Sequence, residues 1–415
     1  MTSKNGSSNG TPKKVYMTNM CDHAYVVAAA LRAHGTPAEV LPPSDDESMA
    51  IGVELCGGRE CMPCFITMGD YIRMGKRPDF NAKESRLLLA TTGGACRFGQ
   101  YNVLQHEILH EHGLGDLELF KPTAMNSYQD FGENATQIRE LVWQGFVAVD
   151  VLQKLLHEHR PYELQPGQTD WVYQRCLESI TEAIDAGGGR KLIETMKWVA
   201  RQFETLPVDR SHPRPLIAVV GEIYLRFNIY SNLDIIRKVE EHGGEAHLAS
   251  MMEWLYYTNW EYERIMKLQG SLLEFTKTFI TDMVQRHHEK SIVKPVKHLL
   301  KHPLEPPMGE LMDAIRPYYE VALSNETVLS LGKAIELARH GACGIINVMP
   351  FSCMPGIITA AVGQRIRADL DNIPWLDISY DAQGSTNIHT RLEAFMYQAV
   401  QFERRTTAVH NQAAV

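Results

Sequence analysis

Short apolar runs alternate along the chain with longer segments of helical spacing. KVYMTNM at 14–20 is the first strand candidate, residues 23–34 follow as a helix ended at Gly35, and AEVLP at 38–42 is the next strand. LLLAT at 87–91 leads through the loop GGACRFG into a helix over about 100–112, stopped by Gly113, before LELF at 117–120 resumes as a strand. A second series opens with the near-continuous apolar run PLIAVVG at 215–221. It continues with a helix at about 233–242, the segment EAHLAS, GIINVMP at 344–350, a helix near 357–370, PWLDISY at 374–380 and a helix over about 387–405. Residues 131–207 and 251–324 carry mostly helical patterns.

Strand–helix–strand order with short connections predicts an α/β protein of two Rossmann-like domains with intervening helical regions. The expected bounds are an N-terminal domain at 14–130, a helical region at 131–214, and a C-terminal domain at 215–407 with a helical insertion at about 251–324. Polar tails are expected at 1–13 and 408–415, the first disordered. No internal sequence repeat is evident, although the two series share their gross order.

Composition narrows the function classes. The 415 residues carry a formal charge of −9, which gives no support for nucleic-acid binding or for charge-driven attachment to an anionic membrane. No apolar run approaches the roughly 20 residues of a membrane span, and the polar N-terminus lacks the apolar core of an export signal. Eight cysteines are too sparse for a disulfide scaffold, so reduced thiols or metal ligands in the cytoplasm are expected.

Four of the cysteines lie beside Pro or Gly near apolar runs: Cys61 and Cys64 in ECMPC, Cys96 in GGACRFGQY, and Cys353 in MPFSCMPG. A Cys-x-x-Cys pair on a tight turn, completed by thiols from distant strand-end loops, suits tetrahedral sulfur coordination of zinc or of an iron–sulfur cubane. A thioredoxin-like dithiol is the competing reading of the pair. Cys56 and Cys21 are further candidate ligands, and with both a double-cubane cluster would have enough sulfur. Cys343 sits at the entry end of its strand, away from such a site. Cys176, in a helical run, reads as a small buried hydrophobe.

Glu222 and Tyr224 follow a strong strand, where a carboxylate and a phenol serve proton transfer, substrate binding or structural hydrogen bonding. Arg97, Arg226 and Arg391 are candidates for anion contacts or ordinary salt bridges. HEILHEHGLGD at 106–116 satisfies H-E-x-x-H, with His106 and His110 on one helical face and Glu107 placed to activate water, the arrangement of a zinc-dependent hydrolase. The competing reading is an amphipathic helix that packs Ile108 and Leu109 and turns its His and Glu side chains to solvent. The positive stretch at 286–303 reads as a solvated face or a docking surface, and the aromatic run at 254–263 as helix packing.

The chain resembles the 2-hydroxyacyl-CoA dehydratase components and their relatives associated with BadF/BadG-type ATPase activators, including the double-cubane cluster proteins. The resemblance rests on ECMPCFITMGD (60–70), GGACRFGQYN (93–102), RPYE (160–163), VGEIYLRFN (220–228), MPFSCMPG (349–356) and DISYDAQGSTNIHTRLEAF (377–395). Gly94-Ala95 stands where the family's usual block has Gly-Pro. The resemblance implies an oxygen-sensitive protein with a [4Fe–4S] or double-cubane cluster in the interdomain cleft, held by Cys61, Cys64, Cys96 and Cys353. It also implies an electron-accepting role in a reductase or dehydratase-like system. The partner would be a separate ATP-hydrolysing activator with its own iron–sulfur cluster, in a homo- or hetero-oligomeric setting. A non-catalytic iron–sulfur scaffold is the alternative. No phosphate-binding glycine motif is present, so ATP hydrolysis is not expected on this chain.

Overall fold

A computed structural model describes residues 12–57, 60–89, 91, 96–122, 129–323, 325–382 and 387–413. Gly58, Gly94, Ala95, residues 1–11 and residues 414–415 therefore lie outside the described residues, and the expected C-terminal tail is instead helical through Ala413. The first half runs β1 (Lys14–Met17), α1 (His23–Ala33), β2 (Ala38–Val40), α2 (Asp46–Cys56), α3 (Met62–Gly75), β3 (Ser85–Leu88), α4 (Phe98–Leu109) and β4 (Glu118–Phe120). Its strands form a parallel sheet in the order β2-β1-β3-β4.

Three helices follow: α5 (Ala135–His159), α6 (Gln168–Asp185) and α7 (Gly189–Glu204). The second half then runs β5 (Leu216–Gly221), α8 (Ile223–Phe227), α9 (Ile229–Asn232), α10 (Ile235–Glu241), β6 (Glu245–Leu248), α11 (Met252–Leu268), α12 (Leu272–Val293), α13 (Met308–Ile315), α14 (Glu326–Arg339), β7 (Gly344–Pro350), α15 (Met354–Asp369), β8 (Trp375–Tyr380) and α16 (Ile388–Ala413). Its sheet is parallel in the order β6-β5-β7-β8. The two sheets thus share one strand order, in an α/β fold consistent with Rossmann-like architecture. Every residue of β7 is buried, as expected of a central parallel strand covered on both faces.

Two helices occupy the segment expected to hold a metal-binding turn. Asp45 caps α2 by accepting from Ser48 N at 3.0 Å, and Asp46 and Glu47 in the first turn suit the positive end of the helix dipole. Cys61-Met62-Pro63 opens α3, with Pro in the first turn where its missing N–H costs nothing. These two helices touch backbone to backbone. A Cβ on Gly52 would lie 1.9 Å from Phe65 O, and one on Gly69 would lie 1.8 Å from Ser48 O.

The halves are joined by named polar contacts as well as by continuous apolar cores. Asn228 Nδ2 donates to the carbonyls of Asn19 and Met20 at 3.2 and 3.3 Å. Tyr230 Oη donates to Asp46 at 2.9 Å. Buried Asp150 on α5 meets His23 Nε2 at 3.0 Å and accepts the backbone N–H groups of Met251 and Met252 at 3.0 and 2.8 Å. One carboxylate therefore fixes the start of α1, the middle of α5 and the start of α11.

The aromatic run at 254–263 packs as expected. Tyr256 and Tyr257 are buried, and Trp143 meets Tyr256 edge-on with ring centroids 5.0 Å apart. Cys176 is fully buried within α6. Among the described residues, no helix is long and apolar enough to cross a membrane.

Candidate functional site at the strand ends

The carboxyl ends of the parallel strands are where open α/β sheets gather ligands, and residues from both halves meet there. Cys61 is the N-cap of α3 and Cys353 the N-cap of α15, and each is followed by Met and Pro. The helix α15 follows β7 directly and α3 follows α2, yet both open with Cys-Met-Pro. Arg97, at the start of α4, donates to Ser352 O at 2.9 Å and Ser352 Oγ at 3.1 Å, tying the α4 start to the α15 start. Ser352 holds φ of 56°, a left-handed conformation that a non-glycine residue adopts at some cost. Burial raises the pKa of the Cys61 thiol, and the neighbouring Tyr101 hydroxyl and Arg97 guanidinium lower it. Burial raises the thiols of Cys353 and Cys96, against which the nearby Gly356 and Phe98 N–H groups act in the lowering direction.

The second half contributes two carboxylates. Gly221, with φ of 123°, ends β5 so close to β7 that a Cβ there would lie 2.0 Å from Val348 O. Glycine alone fits, and it delivers Glu222 as the N-cap of α8, its Oε2 accepting from Leu225 N at 2.9 Å. Glu326, in the first turn of α14, accepts from Ile223 N.

Burial raises both carboxyls, Glu326 well above the ordinary range, and the Glu222 charge pushes Glu326 further in the same direction. Two like charges so placed favour holding a proton between them. Burial likewise lifts the thiols of Cys61 and Cys353, and that of Cys96 to about 11, with Glu222 adding to each. At neutral pH the cluster therefore presents protonated thiols, the Tyr101 phenol and a carboxyl pair of reduced charge. These are hydrogen-bond donors rather than strong nucleophiles.

The remaining candidates lie elsewhere. Cys64 is fully buried, and the neighbouring Cys56 thiol, together with burial, raises its pKa. The two thiols of the Cys-x-x-Cys pair thus have different neighbours. A cysteine at the N-cap faces the strand ends, whereas one in the first turn points into the packing beneath. Cys21 Sγ lies 3.4 Å from His23 Nδ1, and Cys343 Sγ donates to Gly341 O at 3.5 Å. Tyr224 is buried, with its hydroxyl beside Ser44 and Asp70 of the first half. Arg226 forms a buried ion pair with Glu253 at 2.7 Å, and Arg391 donates to Asp377 O at 2.6 Å. All eight cysteines are free thiols.

This geometry overturns the expected cofactor. Among the described residues, which include Cys21, Cys56, Cys61, Cys64, Cys96 and Cys353, no group of three or more His, Cys, Asp or Glu side chains is arranged to hold a metal ion. Among the described residues there is thus no site for a [4Fe–4S] or a double-cubane cluster. The expectations of an electron-accepting reductase or dehydratase component and of an iron–sulfur scaffold fall with it. The zinc hydrolase reading fails on the same finding. Gln105, Ile108 and Leu109 form the inward face of α4, so His106, Glu107 and His110 point to solvent.

Tyr101, Glu326 and the role of Arg97 in joining two helix starts were not evident from the sequence. The repeated Cys-Met-Pro tripeptide was a readable signal, since Pro just after a capping position marks a helix start. Two surface cavities, of about 510 and 400 Å³, lie at Tyr162–Arg214 and at His159–Lys301. The first adjoins the amino ends of β5 and β6, the side opposite the cluster. No family model matches the chain, and no curated protein matches it.

Proposed function

We propose that the chain is a binding protein. It takes a small molecule with an anionic or carbonyl head and an apolar tail at the strand ends of its two sheets. The carrying observation is the meeting of the α3, α4 and α15 starts through Cys61, Arg97, Ser352 and Cys353. Helix starts present positive potential to an acceptor. The thiols, Tyr101 and the Glu222–Glu326 pair add donors to such a head. Phe351, Met354 and Ile357 stand beside Cys353 with their side chains exposed, an apolar rim for a tail.

Kinship with the dehydratase components is proposed on the motif blocks alone, without a cluster or its redox chemistry. A separate ATP-hydrolysing partner protein is proposed on the same ground.

Short- and medium-chain monocarboxylates are suitable probes. In their presence alkylation of the half-buried Cys96, read by peptide mass spectrometry, is expected to slow in proportion to chain length. Phe351→Ser is expected to remove the dependence on chain length. If no carboxylate of the series shields Cys96 or raises the melting temperature, the strand-end binding reading is wrong.

A further inference from the structure

We propose that two copies of this chain associate face to face through α12. The helix is anchored by one side only. Gln285 O accepts from Trp143 Nε1 at 3.2 Å, Glu289 accepts from Tyr256 Oη at 2.7 Å, and Ile292 and Val293 are buried. Its opposite side, over residues 272–284, is exposed and apolar. Leu272 and Leu273 are 77% and 67% exposed, and Ile280 and Met283 are 54% and 59% exposed.

Amphipathic surface helices normally turn charged residues outward, and α12 does the reverse. Burying such side chains removes roughly 100 Å² of each from water, so the strip exposes on the order of 500 Å². Flanking Thr276, Lys277 and Thr281 bring it towards the roughly 800 Å² that each partner of a specific interface contributes.

The pattern of exposed positions identifies the occupant. A two-fold axis through Thr278, with the helices antiparallel, sets Leu272 against Val284 and Leu273 against Met283. The same axis sets Thr276 against Ile280 and Lys277 against Phe279. All eight of these residues are exposed, whereas Thr278 itself is half-buried. An isologous dimer requires this property, one patch complementary to itself when reversed. Spacing of three and four residues along Leu273, Thr276, Ile280 and Met283 is that of a coiled-coil seam. The same axis pairs Glu274 with Asp282, but both are half-buried and lie off the exposed strip, away from the seam. Lys277 lies against an aromatic ring, and Glu274 and Asp282 sit at the edges beside Lys277 and Arg286 of their own helix.

Sedimentation equilibrium on the full chain at micromolar concentration is expected to give twice the 46.9 kDa chain mass. Ile280→Glu is expected to weaken association at least a hundredfold without altering the far-ultraviolet spectrum or the melting temperature. Thr276→Glu, at a position already in water, repeats the test where Ile280→Glu disturbs folding. A mixture of Leu273→Cys and Met283→Cys chains should oxidise to a heterodimer joined 273 to 283, a link that neither variant forms alone. A monomeric wild type overturns the proposal, as does a dimer indifferent to both glutamate substitutions. A monomer that floats with phosphatidylcholine vesicles assigns the strip to a membrane surface and overturns it equally.

Discussion

At residue scale, His23 shows how burial and charge compete. Burial alone would discharge the ring, yet the Asp150 carboxylate 3.0 Å away outweighs it and raises the His23 pKa from 6.5 to about 10. A folded-state pKa above the unfolded one means that protonation favours the fold. The contribution of the pair is fully present below pH 6.5, declines as pH rises, and is gone above about 10. Asp150→Asn is therefore expected to cost about 3–5 kcal/mol at the acid end of this window, the usual penalty for orphaning a buried charge. The cost should shrink steadily towards pH 10, and urea unfolding across the range measures it. A cost that stays constant with pH would mean that His23 is neutral in the fold and that Asp150 acts only through the Met251 and Met252 amides.

At the scale of elements, the α2–α3 crossing positions the site, because α3 carries Cys61 at its start and Cys64 in its first turn. Gly52→Ala or Gly69→Ala places a methyl group against a carbonyl of the facing helix, and backbone cannot yield as a side-chain tip can. Each is expected to cost about 1–3 kcal/mol or more and to speed alkylation of Cys64, which is otherwise fully buried. Gly309→Ala on α13 is the control. No neighbour lies within 4 Å of its Cβ position, so it is expected to stabilise by about 0.5–1 kcal/mol. Unchanged denaturation midpoints for both crossing variants would contradict the close packing.

The same crossing marks the limit of sequence reading. β7 at Gly344–Pro350 and α1 at His23–Ala33 match their expected bounds to within a residue, since apolar runs and helical spacing are local signals. The α2 and α3 helices are not among the expected elements, although the Pro of ECMPC marks a helix start. Side-chain direction at a helix start then separates Cys61 from Cys64, and spacing alone does not carry that information.

At the scale of the whole molecule, the helical layer and the second sheet are locked by charges rather than by apolar contact alone. Lys154 of α5 and Lys333 of α14 meet on Glu305, at 2.6 and 3.0 Å, and all three side chains are buried. Burial pushes the Glu305 carboxyl up, but the two ammonium groups outweigh it and hold the pKa well below the usual carboxylate range. The two series share their gross element order in the sequence, but the common strand order of the sheets is a finding of the structure. This joint is equally unreadable in the sequence, because its members lie 151 and 28 residues apart.

Two cations on one anion make the carboxylate the critical member. Glu305→Gln leaves two buried ammonium groups facing each other, with Lys333 still reaching Glu336 at 3.2 Å, and is expected to cost about 3–5 kcal/mol. Adding Lys154→Met removes the cation left without a carboxylate, its remaining acceptor being His302 O at 3.3 Å, so the double variant should recover part of that loss. The pH dependence runs opposite to that of His23. A depressed folded pKa stabilises above the unfolded value of 4.5 and loses its effect as pH falls below it. The wild type should therefore keep its advantage over Glu305→Gln at neutral pH and surrender it only in acid. Denaturation midpoints of the wild type, the single variant and the double variant, taken above and below that pH, measure both effects. A double variant no more stable than Glu305→Gln would show that Lys154 is neutralised some other way, and that the joint rests on Lys333 and Glu305 alone.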